Sequence, residues 1–240
     1  RRTSFDSSHD RISRGTLYEI YFFALFFYDM KKIYDQKKLW LHKWRNSKVN
    51  AVNNFARRSF SEIKKHGDLK TLLDLGCGAG QDAVYFSKQG LLVTAADFSE
   101  TGIKLVPKNI KNLKAVCLDI RNLKLKPYSF DVIYAHLSLH YFNDNATTQI
   151  FNKLYDVLKK NGLIFIKCKS TDDVLYGDGE KVAPDMFLKD KHIRHFFSKE
   201  YMKEKMEKFN LIKIRKTSSV YHSYKSSYIE AIATKNSAKK

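Results

Sequence analysis

The sequence is poor in the residues that staple or interrupt a fold. Its 240 residues include three cysteines, three prolines and ten glycines. Cys77, Cys117 and Cys168 form no C-x-x-C pair, and no histidine cluster has metal-ligand spacing. Neither a disulfide framework nor a structural zinc is expected, and no metal is assigned. A reducing, cytoplasmic setting is the corresponding expectation. So little Pro and Gly argues against long flexible linkers. No apolar run approaches the roughly 18 residues of a spanning helix. The most apolar stretch, 20–28, is far shorter, runs into Asp29 and a lysine pair, and lacks the small-residue cleavage site of a signal peptide. Acidic residues are also in deficit, 25 Asp and Glu against 44 Lys and Arg, for a formal net charge of +19.

What is abundant is apolar and aromatic material, 43% and 14% of the chain, enough for a packed core and against global disorder. A surface this basic attracts polyanions, so RNA is one candidate partner. The lysines are scattered rather than clustered, and a biased composition would give the same excess. Both readings stay open, as does the oligomeric state.

Three segments follow from patterning. Residues 1–15 are polar, Ser-rich and basic, an extended arm. Residues 16–66 form a helical extension or lid: an aromatic helix over 16–34, then helices over 36–66 in which Leu39, Trp40, Trp44, Val52, Phe55, Phe60 and Ile63 recur at helical spacing. Gly67 suits a C-cap. Residues 67–240 alternate strand and helix. Strands are expected at 71–75, 91–96, 113–118, 130–135 and 163–167, and helices at 81–89, 99–111 and 146–160. An irregular stretch covers 169–197, followed by a helix at 198–208 and strands at 211–217 and 226–234. Strands separated by single helices imply a parallel sheet covered on both faces. The last two strands, with no helix between them, read as an antiparallel hairpin at the sheet edge.

The strongest local signal is Asp74-Leu75-Gly76-Cys77-Gly78-Ala79-Gly80, in which a hydrophobic strand runs into a glycine turn and then a helix. Glycines let the backbone turn sharply and approach a ligand closely. Dinucleotide sites use G-x-G-x-x-G to seat a pyrophosphate. Here an acidic residue stands two positions before the first glycine, which would repel a pyrophosphate and suit an ammonium group. Asp97, about 20 residues on, can accept from both ribose hydroxyls. Asp119 with Ile120 follows the third strand and is placed for an adenine edge. One such Asp is as readily a helix N-cap; three at successive strand ends beside a glycine turn point to a ligand.

Residues 69–168 resemble the class I S-adenosylmethionine (SAM)-dependent methyltransferases. The likeness rests on the glycine turn, Asp97, Asp119, the strand Phe130-Asp131-Val132-Ile133-Tyr134-Ala135, and the closure Leu154-Tyr155-Asp156-Val157-Leu158-Lys159-Lys160-Asn161-Gly162, where the family's usual second glycine is Leu163. The segments 169–172, 176–177 and 192–197 are similar to small methyltransferases of the tellurite-resistance type. The resemblance implies a Rossmann-like, seven-stranded, mostly parallel sheet with an antiparallel last strand, plus the N-terminal helical extension. It implies SAM as cofactor and S-adenosylhomocysteine (SAH) as product. Asp74, Gly76, Cys77, Gly78 and Gly80 would hold the methionine part, Asp97 and Phe98 the ribose, and Asp119 and Ile120 the adenine, with His136 bordering the cofactor.

The acceptor side is less constrained. The loop 136–142 follows the fourth strand and borders the methyl group in the family. It lacks the Asn/Asp-Pro-Pro-aromatic motif with which many nucleic-acid amino-methyltransferases grip a flipped base. His136 and His140, with Arg194, are the candidate catalytic residues, the histidines as bases titrating near neutral pH; the competing reading is a packed, hydrogen-bonded histidine. Tyr141, His192 and His195 are candidate acceptor contacts, and His192, Arg194 and His195 together could form an anion or acceptor pocket or merely a solvated basic turn. A small-molecule acceptor reached by in-line displacement is the favoured reading. An RNA or protein methyltransferase and a catalytically silent SAM-binding module compete with it.

Overall fold

The computed structural model describes residues 36–45, 51–221 and 224–235. The arm expected over 1–15 and the aromatic helix over 16–34 lie outside the described residues. Helix α1 spans 36–45 and α2 spans Asn54–Ile63. Asn53 caps α2 by accepting from the Ala56 N–H at 2.8 Å. Alternation then follows: β1 (Thr71–Leu75), α3 (Gln81–Lys88), β2 (Leu92–Asp97), α4 (Glu100–Ile103), β3 (Leu113–Cys117), β4 (Phe130–His136), α5 (Asp144–Val157) and β5 (Leu158–Lys169). Three short strands follow, β6 (Glu180–Ala183), β7 (Met186–Lys189) and β8 (His192–His195), then α6 (Lys199–Lys205), β9 (Asn210–Tyr221) and β10 (Tyr224–Thr234).

The main sheet has seven strands in the order β3-β2-β1-β4-β5-β10-β9. β1 to β5 are mutually parallel, and β10 runs antiparallel to both β5 and β9, so it alone is reversed. The hairpin does extend the sheet, with β10 inside and β9 at the edge. The central strands β1, β4 and β5 are buried on both faces, which explains why they read as near-continuous apolar runs. Leu73, Leu75, Ile133, Ala135, Ile164 and Ile166 point to one core with α5 and α6. Leu72, Val132, Tyr134, Leu163 and Phe165 alternate to the other, against Phe55 and Ala56 of α2 and Ala83 and Phe86 of α3.

Three expectations are corrected. The helix expected over 99–111 is the short α4, Glu100–Ile103. A Cβ at Gly102 would stand 3.0 Å from the Gly78 carbonyl oxygen, so this helix starts against the glycine turn; Pro107 bars its extension. The helix expected to 160 ends at Val157, and Asn161-Gly162 sits in an irregular start of β5, with Asn161 at φ 60°. The stretch 169–197 contains a three-stranded antiparallel sheet, β6-β7-β8. Its β7–β8 turn, Asp190-Lys191, has both residues at positive φ (50° and 64°), the geometry of a tight hairpin. Strands of four residues carrying several charges give little periodic signal, which hid this sheet.

Candidate active site

The carboxyl ends of β1, β2 and β4 meet at the glycine turn. Gly76 N–H and Cys77 N–H both donate to the Ala96 carbonyl, at 2.7 and 3.0 Å. Gly76, Gly78 and Gly80 all lie at positive φ (79°, 55° and 80°). A Cβ at Gly76 would overlap the Ser138 side chain, whose hydroxyl donates to the Leu75 carbonyl at 2.6 Å. The turn is therefore pressed between the end of β2 and the loop after β4.

Asp97 organises this turn. Its carboxylate accepts from Gly78 N–H at 2.9 Å and from Ser99 N–H at 2.8 Å, so both oxygens already hold backbone while lone pairs remain for a ligand. Phe98 beside it is half-buried. Asp74 is almost fully buried, and its Oδ2 has no hydrogen-bond partner among the described residues. Burial, then the Asp82 and Asp97 carboxylates, push its pKa well above the usual range. Burial raises Asp82 and Asp97 as well. Burial also drives the Cys77 thiol well up, which makes it inert packing rather than a nucleophile. Three buried carboxylates with an orphaned oxygen form a receptor for a cation, and this fits the ammonium and sulfonium of SAM.

Asp119 caps a 3-10 turn, Ile120–Asn122, through the Arg121 N–H at 2.9 Å, and its carboxylate also takes the Arg121 guanidinium. Ile120 is buried. Burial opposes ionisation of Asp119, but the bonds from Arg121 outweigh it and leave the carboxyl below its usual range. The capping role that an Asp at a strand end can take is present at this residue.

His136 ends β4. Its Nδ1 lies 3.3 Å from Asn53 Nδ2, and its ring stacks on Phe55. Burial, then Lys167, pushes its pKa down to about 3. His140 is buried, its Nδ1 has no partner among the described residues, and burial, then Lys169 and Arg194, pushes it well below its ordinary value. His192 falls to about 4, from burial and then Arg194 and Lys43. Burial lowers His195 too. The expectation that these histidines titrate near neutrality is corrected: burial disfavours every imidazolium here, and nearby cations add to it at His136, His140 and His192.

The structure brings His140, Tyr141, His192 and Arg194 together but turns His195 away. Along β8, His192 and Arg194 share one face, while His195 points to the other. There its Nδ1 bonds the Phe142 carbonyl at 3.0 Å and its ring packs on Phe197 and Tyr201. His195 thus pins the loop after β4 and is not an acceptor contact. Burial holds the Tyr141 phenol up at about 12.

A helical extension or lid is expected over 16–66, but not the contacts that seat α1 on this rim. Trp44 rests on the glycine turn, where a Cβ at Gly78 would overlap its indole. Trp40 meets Tyr141 edge-on at 5.3 Å and His192 at 5.7 Å. Gln36 bonds the Lys191 carbonyl and the Ile193 N–H of β8, and Thr101 of α4 donates to the Leu41 carbonyl at 2.9 Å. Nor is the network beneath α2 expected, in which Asn53 N–H and Tyr134 OH donate to Asp82 at 3.2 and 3.0 Å. An acid in the first turn of the helix after a glycine turn was the available signal for Asp82.

Comparison with known proteins agrees with this geometry. Residues 73–166 match the family described as Methyltransferase domain. A Geobacillus protein named as a methyltransferase is 29% identical over 145 residues, 58% of either chain. Phosphoethanolamine N-methyltransferase 1 of Triticum aestivum is 32% identical over 107 residues, 41% of this chain and 21% of that one. The chain thus spans about three-fifths or less of these relatives. Among solved structures, a SAM-dependent methyltransferase from Methanosarcina mazei superimposes with TM-score 0.65 at 16% identity, over 78% of this chain and 99% of that one. TehB from Haemophilus influenzae gives 0.60 at 19%, over 78% and 64%. At these identities both speak for the fold. Residues 73–166 are thus similar to the Methyltransferase domain family, and the fold is the one shared by these SAM-dependent methyltransferases of known structure.

Proposed function

We propose that this chain, through its class I SAM-dependent methyltransferase domain, transfers the methyl group of SAM to a small-molecule acceptor by in-line displacement. The observation that carries the donor side is the orphaned, buried Asp74 carboxylate beside Asp82 and Asp97. A ligand bearing positive charge supplies what these carboxylates lack. Asp74 and the turn from Gly76 to Gly80 would hold the methionine end, Asp97 with Phe98 the ribose, and Asp119 with Ile120 the adenine. When bound, SAM supplies a methyl group already activated on a sulfonium. The chain's own task is to exclude water and hold the acceptor in line with that methyl.

The acceptor side rests on α1. Strapped from β8 to α4 by Gln36 and by the Leu41 carbonyl, it covers the rim and favours a small acceptor over a polymer. The plant phosphoethanolamine methyltransferases among the relatives act on a small molecule, in keeping with this reading. Where the acceptor must lose a proton, His140 is the candidate base: its buried Nδ1 is unpartnered, and its depressed pKa keeps it neutral and able to accept.

The test is incubation of the protein with methyl-tritiated SAM and, in parallel, a small-molecule extract, RNA and a protein fraction. Label should enter a low-mass product. His140→Ala should cut turnover by about 100-fold, the lower end for general acid–base catalysis, with SAH affinity retained. Label appearing only in RNA or protein, or in none of the three, would overturn the reading.

A further inference from the structure

Arg194 is a half-buried cation. Lys167, Lys169, Lys205, Arg121 and Arg215 each have a carboxylate partner. The Arg194 guanidinium has neither a hydrogen bond nor an ion pair among the described residues. It shares a face of β8 with His192, and that face meets Trp40 of α1. Lys43, also on α1, lies with its ammonium 4.5 Å over the Trp40 ring and within electrostatic reach of Arg194. Two imidazole nitrogens here, Nδ1 of His192 and Nδ1 of the buried His140, also lack partners. Asp190, in the β7–β8 turn, is the acid whose field reaches His192.

Building on the small-acceptor reading, we propose that the seam between α1 and β8 binds an oxyanion carried by the acceptor, with Arg194 as its main ligand and His192 and Lys43 beside it. The acceptor is thus an anionic small molecule, a phosphate ester or a carboxylate. The reasoning is electrostatic. A guanidinium presents a planar fork of donors that matches a carboxylate or phosphate bidentately. Held partly out of water without a partner, it carries a desolvation cost that an incoming oxyanion offsets. Lys43 and Arg194 add positive field at the seam while Asp190 opposes it from the turn, so the preference for an anion rests on the Arg194 fork. Because Lys43 and Trp40 come from α1 and His192 and Arg194 from β8, the anion also bridges the helix to the body and fastens it closed.

The chain's two tryptophans, Trp40 and Trp44, both lie on α1, so their fluorescence reports on that helix. SAH-loaded protein is titrated with inorganic phosphate and, separately, with succinate, at constant ionic strength. A saturable fluorescence change is expected, and the tighter anion distinguishes phosphate ester from carboxylate. Arg194→Met should weaken the midpoint by at least about tenfold, the loss of a charge-assisted pair. Arg194→Lys should fall between, Lys43→Met should weaken it less, and Lys88→Met, on the exposed side of α3, should leave it unchanged. The absence of saturation in the wild type, or equal midpoints for wild type and both Met variants at the seam with SAH affinity retained, would overturn the proposal. If Arg194→Met loses SAH binding, Lys43→Met and Arg194→Lys decide alone. Methylation of a neutral small acceptor with kcat/KM indifferent to Arg194 would sink this inference and spare the small-acceptor reading; label entering only RNA or protein would sink both.

Discussion

Asp74 is a carboxylate placed where its charge is poorly tolerated until a cation arrives. Burial and two like charges raise its pKa, so the folded form binds a proton more readily than the unfolded chain does. A raised carboxyl contributes stability below the unfolded pKa and loses it as pH rises through the folded value. Once ionised, Asp74 therefore places a destabilising charge in the unliganded protein. Asp74→Asn should stabilise the free protein at pH 7.5 by on the order of 1 kcal/mol, with the gain shrinking towards pH 4, while weakening SAM by at least about tenfold. Melting curves with and without SAM across that pH range check both halves; a lower Tm for the free variant at pH 7.5 would count against a receptor for positive charge. Asp97 behaves differently, because its oxygens already hold Gly78 and Ser99. Asp97→Ala should weaken SAM by about 1.5–3 kcal/mol and lower the Tm as well, since the turn loses its anchor.

At the scale of elements, α1 and the glycine turn constrain each other. Gly78 has φ 55° and no room for a Cβ because Trp44 occupies it. Gly78→Ala should therefore undock α1 and weaken SAM binding. Trp44→Ala in the same chain should return part of the affinity, a non-additive pair on calorimetry. Additive losses would place the Gly78 constraint in its backbone alone. The glycine turn, Asp97 and the parallel strands were legible in the sequence because each depends on local spacing: apolar runs, glycines, an acid at a strand end. A lid over 16–66 was an expectation, but the contact of Trp44 with Gly78 was not, because it is tertiary packing that no local period encodes. Nor was the placement of His195, whose turn away from Arg194 on β8 depends on a three-stranded sheet too short and too charged to be seen. The long helix expected after Ser99 failed for a related reason: the close approach of Gly102 to the Gly78 carbonyl fixes where that helix starts, and Pro107 where it cannot continue.

Across the whole molecule, charge is one-sided and the buried imidazoles share its consequences. The chain carries a formal +19, and His136, His140, His192 and His195 all have pKa values pushed down, chiefly by burial. A histidine whose folded pKa lies below its unfolded value of about 6.5 contributes stability above that pH and loses it as pH falls. His136 is held at about 3 and His192 at about 4, so the loss runs from near 6.5 down to those values. The unfolded chain binds these protons first, and each added charge also increases self-repulsion in an already cationic protein. The raised carboxyls of Asp74, Asp82 and Asp97 act in the opposite direction, but below neutrality their stabilising protonation follows only as each group titrates. The Tm of the free protein should therefore fall between pH 7 and pH 5. His136→Gln, which keeps a polar side chain able to face Asn53 without a titrating ring, should flatten that fall. Salt separates the two contributions: added NaCl should relieve the self-repulsion while leaving the part due to buried His136. A slope unchanged by His136→Gln and abolished by salt would assign the acid sensitivity to surface charge alone.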